Sequence, residues 1–225
     1  MLADHYRRHA DVINRGFSGY NTRWCRLMLD DVFPTPPPAT TPRLVTVFLG
    51  ANDAALAEVS SRQHVPLDEY EANLVAIVAH VRRQAAEAAS PVDVVIIGPP
   101  PVDHAARLEH QLAKYGDKAT GVLERTNDNT GKYAEVCVKV GRELGVPVVD
   151  VYTELQAARP GSWEAFLCDG LHLSAEGNAA VFGLLVAAIN AHLPHLSKAA
   201  LSIHFPEHTD VDDTNPTASL LPPTK

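Results

Sequence analysis

Short runs rich in Val and Ile alternate with helical patterns along most of this chain. Three runs, at residues 44–49, 92–97 and 146–151, are apolar at most successive positions and bounded by Gly or Pro, which is typical of strands buried on both faces. This alternation predicts an α/β fold in which a parallel sheet is covered by helices on both sides, with ligands at the carboxyl ends of the strands. The helical patterns are apolar stripes, namely Tyr70, Leu74, Ile77, Val78 and Val81, and then Tyr133, Val136, Cys137, Val140 and Leu144.

The first and last elements of the fold show weaker signals. A fourth, short strand is predicted at Val12–Asn14. The last helix is predicted to begin after Ser174, a favourable N-cap, with Glu176 in its first turn, and to continue to Leu193.

Length and composition predict one domain with a large core. The chain has 225 residues, 46% of them hydrophobic, so it needs no disulfide or metal to stabilise the fold. Prolines in residues 34–42 exclude helix and central strand and predict a stiff, exposed loop. Beyond Pro194 the periodicity fades, and we expect a single domain over residues 1–205 and an extended tail over residues 206–225.

Charge and cysteine content narrow the class of partner and the compartment. The formal net charge is −8 and Lys and Arg are not clustered, which argues against nucleic acid or an anionic membrane and favours an uncharged small ligand. No stretch approaches the roughly 18 apolar residues of a membrane span, and the first residues do not resemble a signal peptide. The three cysteines are scattered, without C-x-x-C spacing, which indicates reduced thiols. We therefore expect a cytoplasmic protein. The histidine spacing predicts no metal, and we expect no cofactor.

A carboxylate and an imidazole stand close together near the end of the chain. Asp169 precedes His172 by three residues, so it can accept the Nδ1 proton and leave Nε2 free to take a proton from a nucleophile. Far upstream, Asn52 follows an apolar strand at its carboxyl end, and residues 14–22 form a glycine-rich turn that contains Gly19. Together these features suggest acyl transfer.

Four blocks, at residues 14–24, 48–54, 125–134 and 169–177, resemble the SGNH hydrolases, also called the GDSL esterase and lipase family. Within that family they are most similar to the isoamyl acetate-hydrolysing esterase branch, and the resemblance covers nearly the whole chain. It implies a flavodoxin-like fold and a serine esterase. The implied substrates are small esters of short acids, such as acetates of medium alcohols.

The resemblance also implies roles for four residues. His172 is the general base and Asp169 the carboxylate that orients it. The side-chain amide of Asn52 and the backbone N–H of Gly19 are two donors of the oxyanion hole. Fixed donors aimed at the developing negative charge are each worth about 3 to 4 kcal/mol. Glycine leaves room for the ester at position 19, and the strand before Asn52 holds that amide rigidly.

The family's nucleophile lies in a G-D-S block that is not among the 225 residues of this sequence. Met1–Asp4 align with the helix that follows the serine, so we expect an N-terminally truncated chain that lacks the nucleophile and the central first strand. Ser18 superficially resembles the serine of a G-x-S-x-G elbow, but Tyr20 stands where that elbow needs glycine, and we expect Ser18 to bond local backbone. We therefore assign no nucleophile and expect little or no esterase activity, with bare edges on the neighbouring strands.

Three functional hypotheses follow. The chain is an incomplete form of an active esterase, or a non-catalytic product that binds a small molecule or a protein through the retained pocket, or an enzyme that uses Ser18. Asp53 is expected to accept backbone hydrogen bonds and Cys168 to line the pocket. Three polar residues of the third block are expected either to cap a helix, which we favour, or to line the pocket: Asn127, Asn129 and Thr130.

Overall fold

The computed structural model describes residues 1–34, 41–203 and 205–220. Its parallel strands are β1 (Leu44–Phe48), β2 (Asp93–Ile97) and β3 (Val148–Val149). The described α-helices are α1 (Leu2–His5), α2 (Thr22–Leu27), α3 (Leu29–Val32), α4 (Leu67–Glu87), α5 (His104–Tyr115), α6 (Asn127–Leu144), α7 (Val151–Ala158), α8 (Ala175–His192) and α9 (Pro216–Leu220). Short 3₁₀ turns occur at Gly116–Lys118, Trp163–Phe166, Pro194–Leu196 and His208–Asp210.

The sheet is parallel, in the order β1-β2-β3, with β2 at its centre. Alternate residues of β2 enter different cores. Val94 and Ile96 pack in the core that contains residues of α4 and α6, whereas Val95 and Ile97 pack in the core that contains residues of α7 and α8. The predicted α/β fold with three layers is confirmed.

The three predicted long helices are confirmed, and each covers the sheet with the expected apolar stripe. Tyr70 and Leu74 of α4 and Tyr133 of α6 are fully or almost fully buried on one side. Leu185 and Ile189 of α8 are buried on the other. These helices fix the sheet between two apolar layers, so its carboxyl edge is held rigidly.

Chain geometry shortens the last strand relative to the predicted 146–151. Helix α6 ends at Gly145, which has a φ of +61°, and the Val146 N–H bonds back to the Gly141 carbonyl. Pro147 has no N–H to donate, and the Asp150 side chain already accepts from Thr153 as the N-cap of α7. Only Val148–Val149 are left to pair with β2.

The strand predicted at Val12–Asn14 is wrong. These residues are irregular, and Val12 and Ile13 are 39% and 72% exposed. In the described part of the chain β1 pairs with β2 alone, so no strand runs beside residues 12–14 to accept their backbone hydrogen bonds. The apolar pattern that suggested a strand therefore lies on the surface.

The end of the chain is less extended than predicted. His208–Asp210 form a 3₁₀ turn and Pro216–Leu220 a short helix, because the Asp212 carboxylate gathers nearby backbone N–H groups into a turn. Just before this segment, the Phe205 carbonyl accepts from the guanidinium of Arg8, which follows α1. Most of the predicted proline-rich loop, at residues 35–40, and residues 221–225 lie outside the described residues. None of the described helices combines the length and apolar character needed to cross a membrane.

Candidate active site

The predicted base and its carboxylate are in direct contact. His172 Nδ1 lies 2.8 Å from Asp169 Oδ2, and the backbone N–H groups of His172 and Leu171 donate to Asp169 Oδ1 at 2.8 and 3.1 Å. Burial alone raises the pKa of Asp169, but the hydrogen bonds from His172 and Leu171 outweigh it and lower the pKa to about 2. An ionised carboxylate only accepts, so Nδ1 carries the proton and Nε2 is the free acceptor.

The loop that carries this pair is shaped by its own backbone. Leu167 and Leu173 form an antiparallel bridge across it, and the Cys168 N–H donates to the His172 carbonyl at 2.8 Å. Gly170 at its tip has a φ of +78°, and a Cβ there would lie 2.4 Å from the backbone of α5. Only glycine therefore fits at position 170. The loop presents the imidazole to solvent, and the His172 side chain is 68% exposed.

Asn52 lies in the turn after β1, as predicted, and its amide is fixed on both sides. Its Nδ2 donates to the Tyr20 carbonyl at 2.8 Å. Its Oδ1 accepts from Gln63 Nε2 at 3.3 Å and from Arg125 Nη2 at 3.2 Å. One of the two Nδ2 hydrogens remains available, because a primary amide carries two donors.

Gly19 lies in the turn next to Asn52. Its φ is +79°, and its carbonyl accepts from Gln63 Nε2 at 3.0 Å. Across the described residues its N–H makes no hydrogen bond. The structure therefore brings Gly19 and Asn52 together through a residue that sequence reasoning did not single out, Gln63.

Asp53 supports these turns from inside the protein. Its side chain is fully buried, and Oδ1 accepts from the backbone N–H of Thr22 at 2.9 Å and from the Thr22 hydroxyl. Oδ2 has no hydrogen-bond partner among the residues that the structure describes. Burial raises the pKa of Asp53 to about 6. The predicted acceptance of a backbone hydrogen bond is confirmed.

Arg125 holds the Asn52 side from behind and is only 2% exposed. Its guanidinium donates to the Ala51 carbonyl at 3.0 Å, to Asn52 Oδ1, to Gln63 Oε1 at 2.8 Å and to Glu124 Oε1. The sequence carried one signal for it, since it is the first residue of the third block of resemblance.

Glu124 and Arg107 connect this region to Asp169. Arg107 Nε donates to Glu124 Oε1 at 3.0 Å, and Arg107 Nη1 donates to Asp169 Oδ2 at 2.8 Å. Burial raises the pKa of Glu124, but Arg125 and Arg107 outweigh this and lower it overall. The two predicted pairs, Asn52 with Gly19 and Asp169 with His172, are thus joined by a continuous series of hydrogen bonds. Nothing in the pattern of α5 distinguishes Arg107 from a solvated helix face.

The predicted capping set acts differently from expected. The N-cap of α6 is Thr126, whose side chain accepts from the Asn129 N–H. Asn127 accepts from the Val102 N–H, Asn129 donates to the Ala54 carbonyl, and the Thr130 hydroxyl donates to the Thr126 carbonyl. Asn127 and Asn129 therefore tie α6 to the loops after β2 and β1.

No described side chain serves as an obvious nucleophile. Ser18 lies in the exposed turn beside Gly19. Its hydroxyl was predicted to bond the local backbone, but in the described ranges it bonds neither the backbone nor His172. The imidazole Nε2 of His172 likewise has no hydrogen-bond partner there. Cys168 lines an open cleft of about 330 Å³ beside Asp169, but His172, Asn52 and Gly19 are not among the lining residues of this cleft, so the expected place of Cys168 in the substrate pocket stays a prediction. Three further carboxylates line that cleft: Asp103, Glu109 and Glu164.

Two relatives are similar to this chain over nearly its whole length. A GDSL esterase/lipase of Arabidopsis thaliana is 41% identical over 226 residues, which cover 97% of this chain and 88% of that protein. The isoamyl acetate-hydrolyzing esterase 1 homolog of Rattus norvegicus is 38% identical, over 98% of this chain and 83% of its own length. The predicted resemblance to this branch is confirmed.

Solved structures agree on the fold. A lipase/acylhydrolase from Enterococcus faecalis superposes with a TM-score of 0.61 at 25% identity, covering 86% of this chain and 78% of that one. Axe2, an acetylxylan esterase from Geobacillus stearothermophilus, has a TM-score of 0.61 at 20% identity, over 84% and 76% of the two chains, and shows the fold alone. Residues 1–180 match the model of the GDSL-like Lipase/Acylhydrolase family. The chain belongs to this family of esterases and lipases.

Proposed function

We propose that this chain carries the base and the oxyanion donors of a Ser-His-Asp hydrolase of small, acetate-type carboxylic esters. The observation that carries the proposal is the contact of His172 Nδ1 with Asp169 Oδ2 at 2.8 Å, which leaves Nε2 facing solvent. The relatives named for isoamyl acetate hydrolysis support the substrate class.

The arrangement supports the following sequence of steps. His172 Nε2 takes the proton of a serine hydroxyl as its oxygen attacks the ester carbon, and Asp169 stabilises the imidazolium that results. The remaining Asn52 Nδ2 hydrogen and the Gly19 N–H donate to the oxyanion. His172 then returns its proton to the departing alcohol, and water releases the acid from the acyl enzyme by the same route.

We also propose that these 225 residues by themselves have little or no esterase activity, because the G-D-S serine is not among them. Removing the serine of a comparable triad lowers kcat on the order of 10⁶-fold. What they retain is a pocket able to bind a small ester or acyl compound. The three free cysteines support a reducing, cytoplasmic setting for the protein.

The test compares the 225-residue chain with the same chain joined at Met1 to a segment that carries a G-D-S block of the family. Hydrolysis of isoamyl acetate is monitored by measuring the acid that is released. We expect turnover from the joined protein and none from the 225-residue chain. Turnover should also be lost when the joined protein carries His172→Ala. Arg159→Ala, an exposed ion-pair residue, serves as the matched control.

Two outcomes contradict this proposal. A folded joined protein that does not hydrolyse the ester removes the catalytic assignment, and stabilisation of the chain by isoamyl alcohol or acetate without turnover then favours a binding role. Turnover by the 225 residues alone, with fluorophosphonate labelling that Ser18→Ala abolishes, places the nucleophile at Ser18.

A further inference from the structure

The buried guanidinium of Arg125 touches both side-chain amides next to the oxyanion donors. Its Nη2 lies 3.2 Å from Asn52 Oδ1 and 2.8 Å from Gln63 Oε1. Its Nε donates to the Ala51 carbonyl, so the guanidinium also holds the backbone one residue before Asn52. With 2% of its surface exposed, Arg125 has little freedom to move away.

An arginine has only donors, and this settles which way the neighbouring amides face. The oxygen and nitrogen ends of Asn and Gln have nearly the same shape, so packing alone does not orient them. A guanidinium only donates, so it can hydrogen-bond only to the oxygen end of an amide. Asn52 therefore turns Oδ1 toward Arg125 and Nδ2 away, and Gln63 turns Oε1 toward Arg125 and Nε2 away.

The outward nitrogen of Gln63 carries this orientation to the second donor. Gln63 Nε2 donates to the Gly19 carbonyl at 3.0 Å and to Asn52 Oδ1 at 3.3 Å. The carbonyl of Gly19 is thereby held beside Asn52. With the opposite amide orientation, Gln63 would present an oxygen to both of these acceptors and repel them.

We infer that Arg125 is a positioning residue that sets the amide orientation of Asn52 and, through Gln63, the placement of the Gly19 turn. Calling these groups oxyanion donors rests on the proposed function, whereas their orientation by Arg125 is a property of the fold. Glu124 and Arg107 extend the same series of bonds to Asp169, so the guanidinium also fixes this side of the site relative to the base.

The experiment uses the full chain and no ester. Gln63→Glu differs from the native side chain by one atom, keeps an oxygen for Arg125 and removes the donor to Gly19 and Asn52. Gln156→Glu is the matched control, because Gln156 also donates to a backbone carbonyl, that of Tyr152, and accepts from an asparagine. Arg125→Lys keeps the charge but offers a single point donor in place of the planar fork.

Two readouts separate positioning from general stability. One is hydrogen exchange of the Tyr20 amide, which shares a peptide bond with the Gly19 carbonyl and donates to the Phe17 carbonyl. The other is the set of ¹H–¹⁵N signals of the Asn52 side chain. At pH 7 we expect Gln63→Glu to speed Tyr20 exchange about fivefold or more and to move the Asn52 signals, with no change in Gln156→Glu. Arg125→Lys is expected to move the Asn52 signals toward those of a free amide.

Unchanged Asn52 signals and Tyr20 exchange in folded Gln63→Glu would overturn the inference, as would unchanged Asn52 signals in folded Arg125→Lys. If Arg125→Lys does not fold, Gln63→Glu still decides, since its side chain is partly exposed and nearly isosteric. Neither readout involves catalysis, so a joined protein that lacks esterase activity leaves this result standing. Unchanged signals and exchange in these variants likewise leave the test of esterase activity standing.

Discussion

The two halves of the candidate site are built in different ways. The Asp169–His172 half is local, since the carboxylate binds the ring and the backbone of residues two and three positions later. The Asn52–Gly19 half is assembled from turns far apart in sequence and depends on Gln63 and the buried Arg125. The short motif thus makes most of its own contacts, with Arg107 as a distant donor to Asp169, whereas the proposed oxyanion donors from distant turns depend on Gln63 and on an internal charge to hold them. The following predictions test that contrast.

The largest effect is expected from Arg125→Met. Removing a buried cation leaves Glu124 short of a partner and strands the oxygens of Asn52, Gln63 and Ala51, so we expect the free energy of unfolding to fall by about 3 to 5 kcal/mol. Urea unfolding measures it. Lys139→Met, which breaks an exposed pair with Glu71, is the control and should change stability by less than about 1 kcal/mol. Equal losses in the two variants would show that Arg125 is not a structural centre.

The two halves also contain carboxylates with opposite pKa shifts. The folded-state pKa of Asp53 is raised to about 6, so stability is greater below its unfolded value of about 3.9 and declines, by up to about 3 kcal/mol, as pH rises toward 6. The folded-state pKa of Asp169 is lowered to about 2, so its contribution, about 2 kcal/mol, is present above pH 4 and is lost as pH falls through 2.

Urea unfolding of Asp53→Asn and Asp169→Asn across pH 2 to 8 separates these contributions. Relative to the native chain, Asp53→Asn should gain stability as pH rises from 4 to 6, because over this range Asp53 ionises in the unfolded native chain but stays protonated in the folded one. Asp169→Asn should lose stability relative to the native chain over the acid range, as pH rises from 2 to 4. Parallel pH curves for either variant and the native chain would refute the corresponding shift.

Much of this architecture could be predicted from sequence, for reasons that the two halves illustrate. Apolar spacing located α4, α6 and α8 because each buries one stripe, and Asp169 met His172 because three residues fix their separation. The prediction of a strand at Val12–Asn14 was wrong because a strand requires a neighbouring strand to pair with, which an apolar run does not supply. Arg125 escaped assignment because its role comes from four acceptors that converge on it only in the folded chain.

Two glycines with almost the same φ provide a smaller test of the contrast. Gly170 has a φ of +78° and Gly19 a φ of +79°, so alanine is strained at both. At Gly170 the new Cβ would also lie 2.4 Å from backbone atoms of Asp103 and Arg107, whereas at Gly19 the nearest atom, in Gln63, is 3.6 Å away. We expect Gly170→Ala to cost about 2 to 3 kcal/mol and Gly19→Ala about 1 kcal/mol.

Urea unfolding measures both costs. Gly121→Ala is the control for strain alone, with a φ of +69° and open space around it. A similar loss for Gly170→Ala and Gly121→Ala would mean that the loop yields to the extra carbon, and that the His172 half is less rigid than its hydrogen bonds indicate.

The smallest effect asks whether the halves are independent or joined through Glu124. Because Glu124 Oε1 accepts from both Arg107 and Arg125, either single loss leaves the carboxylate one cation, and the double loss leaves it none. A double-mutant cycle of Arg107→Met and Arg125→Met should therefore cost about 1 kcal/mol more than the sum of the single variants. Arg107→Met with Arg159→Met should be additive. Additivity in the first cycle as well would mean that Glu124 transmits nothing, and that the proposed base and the proposed oxyanion donors are held in place separately.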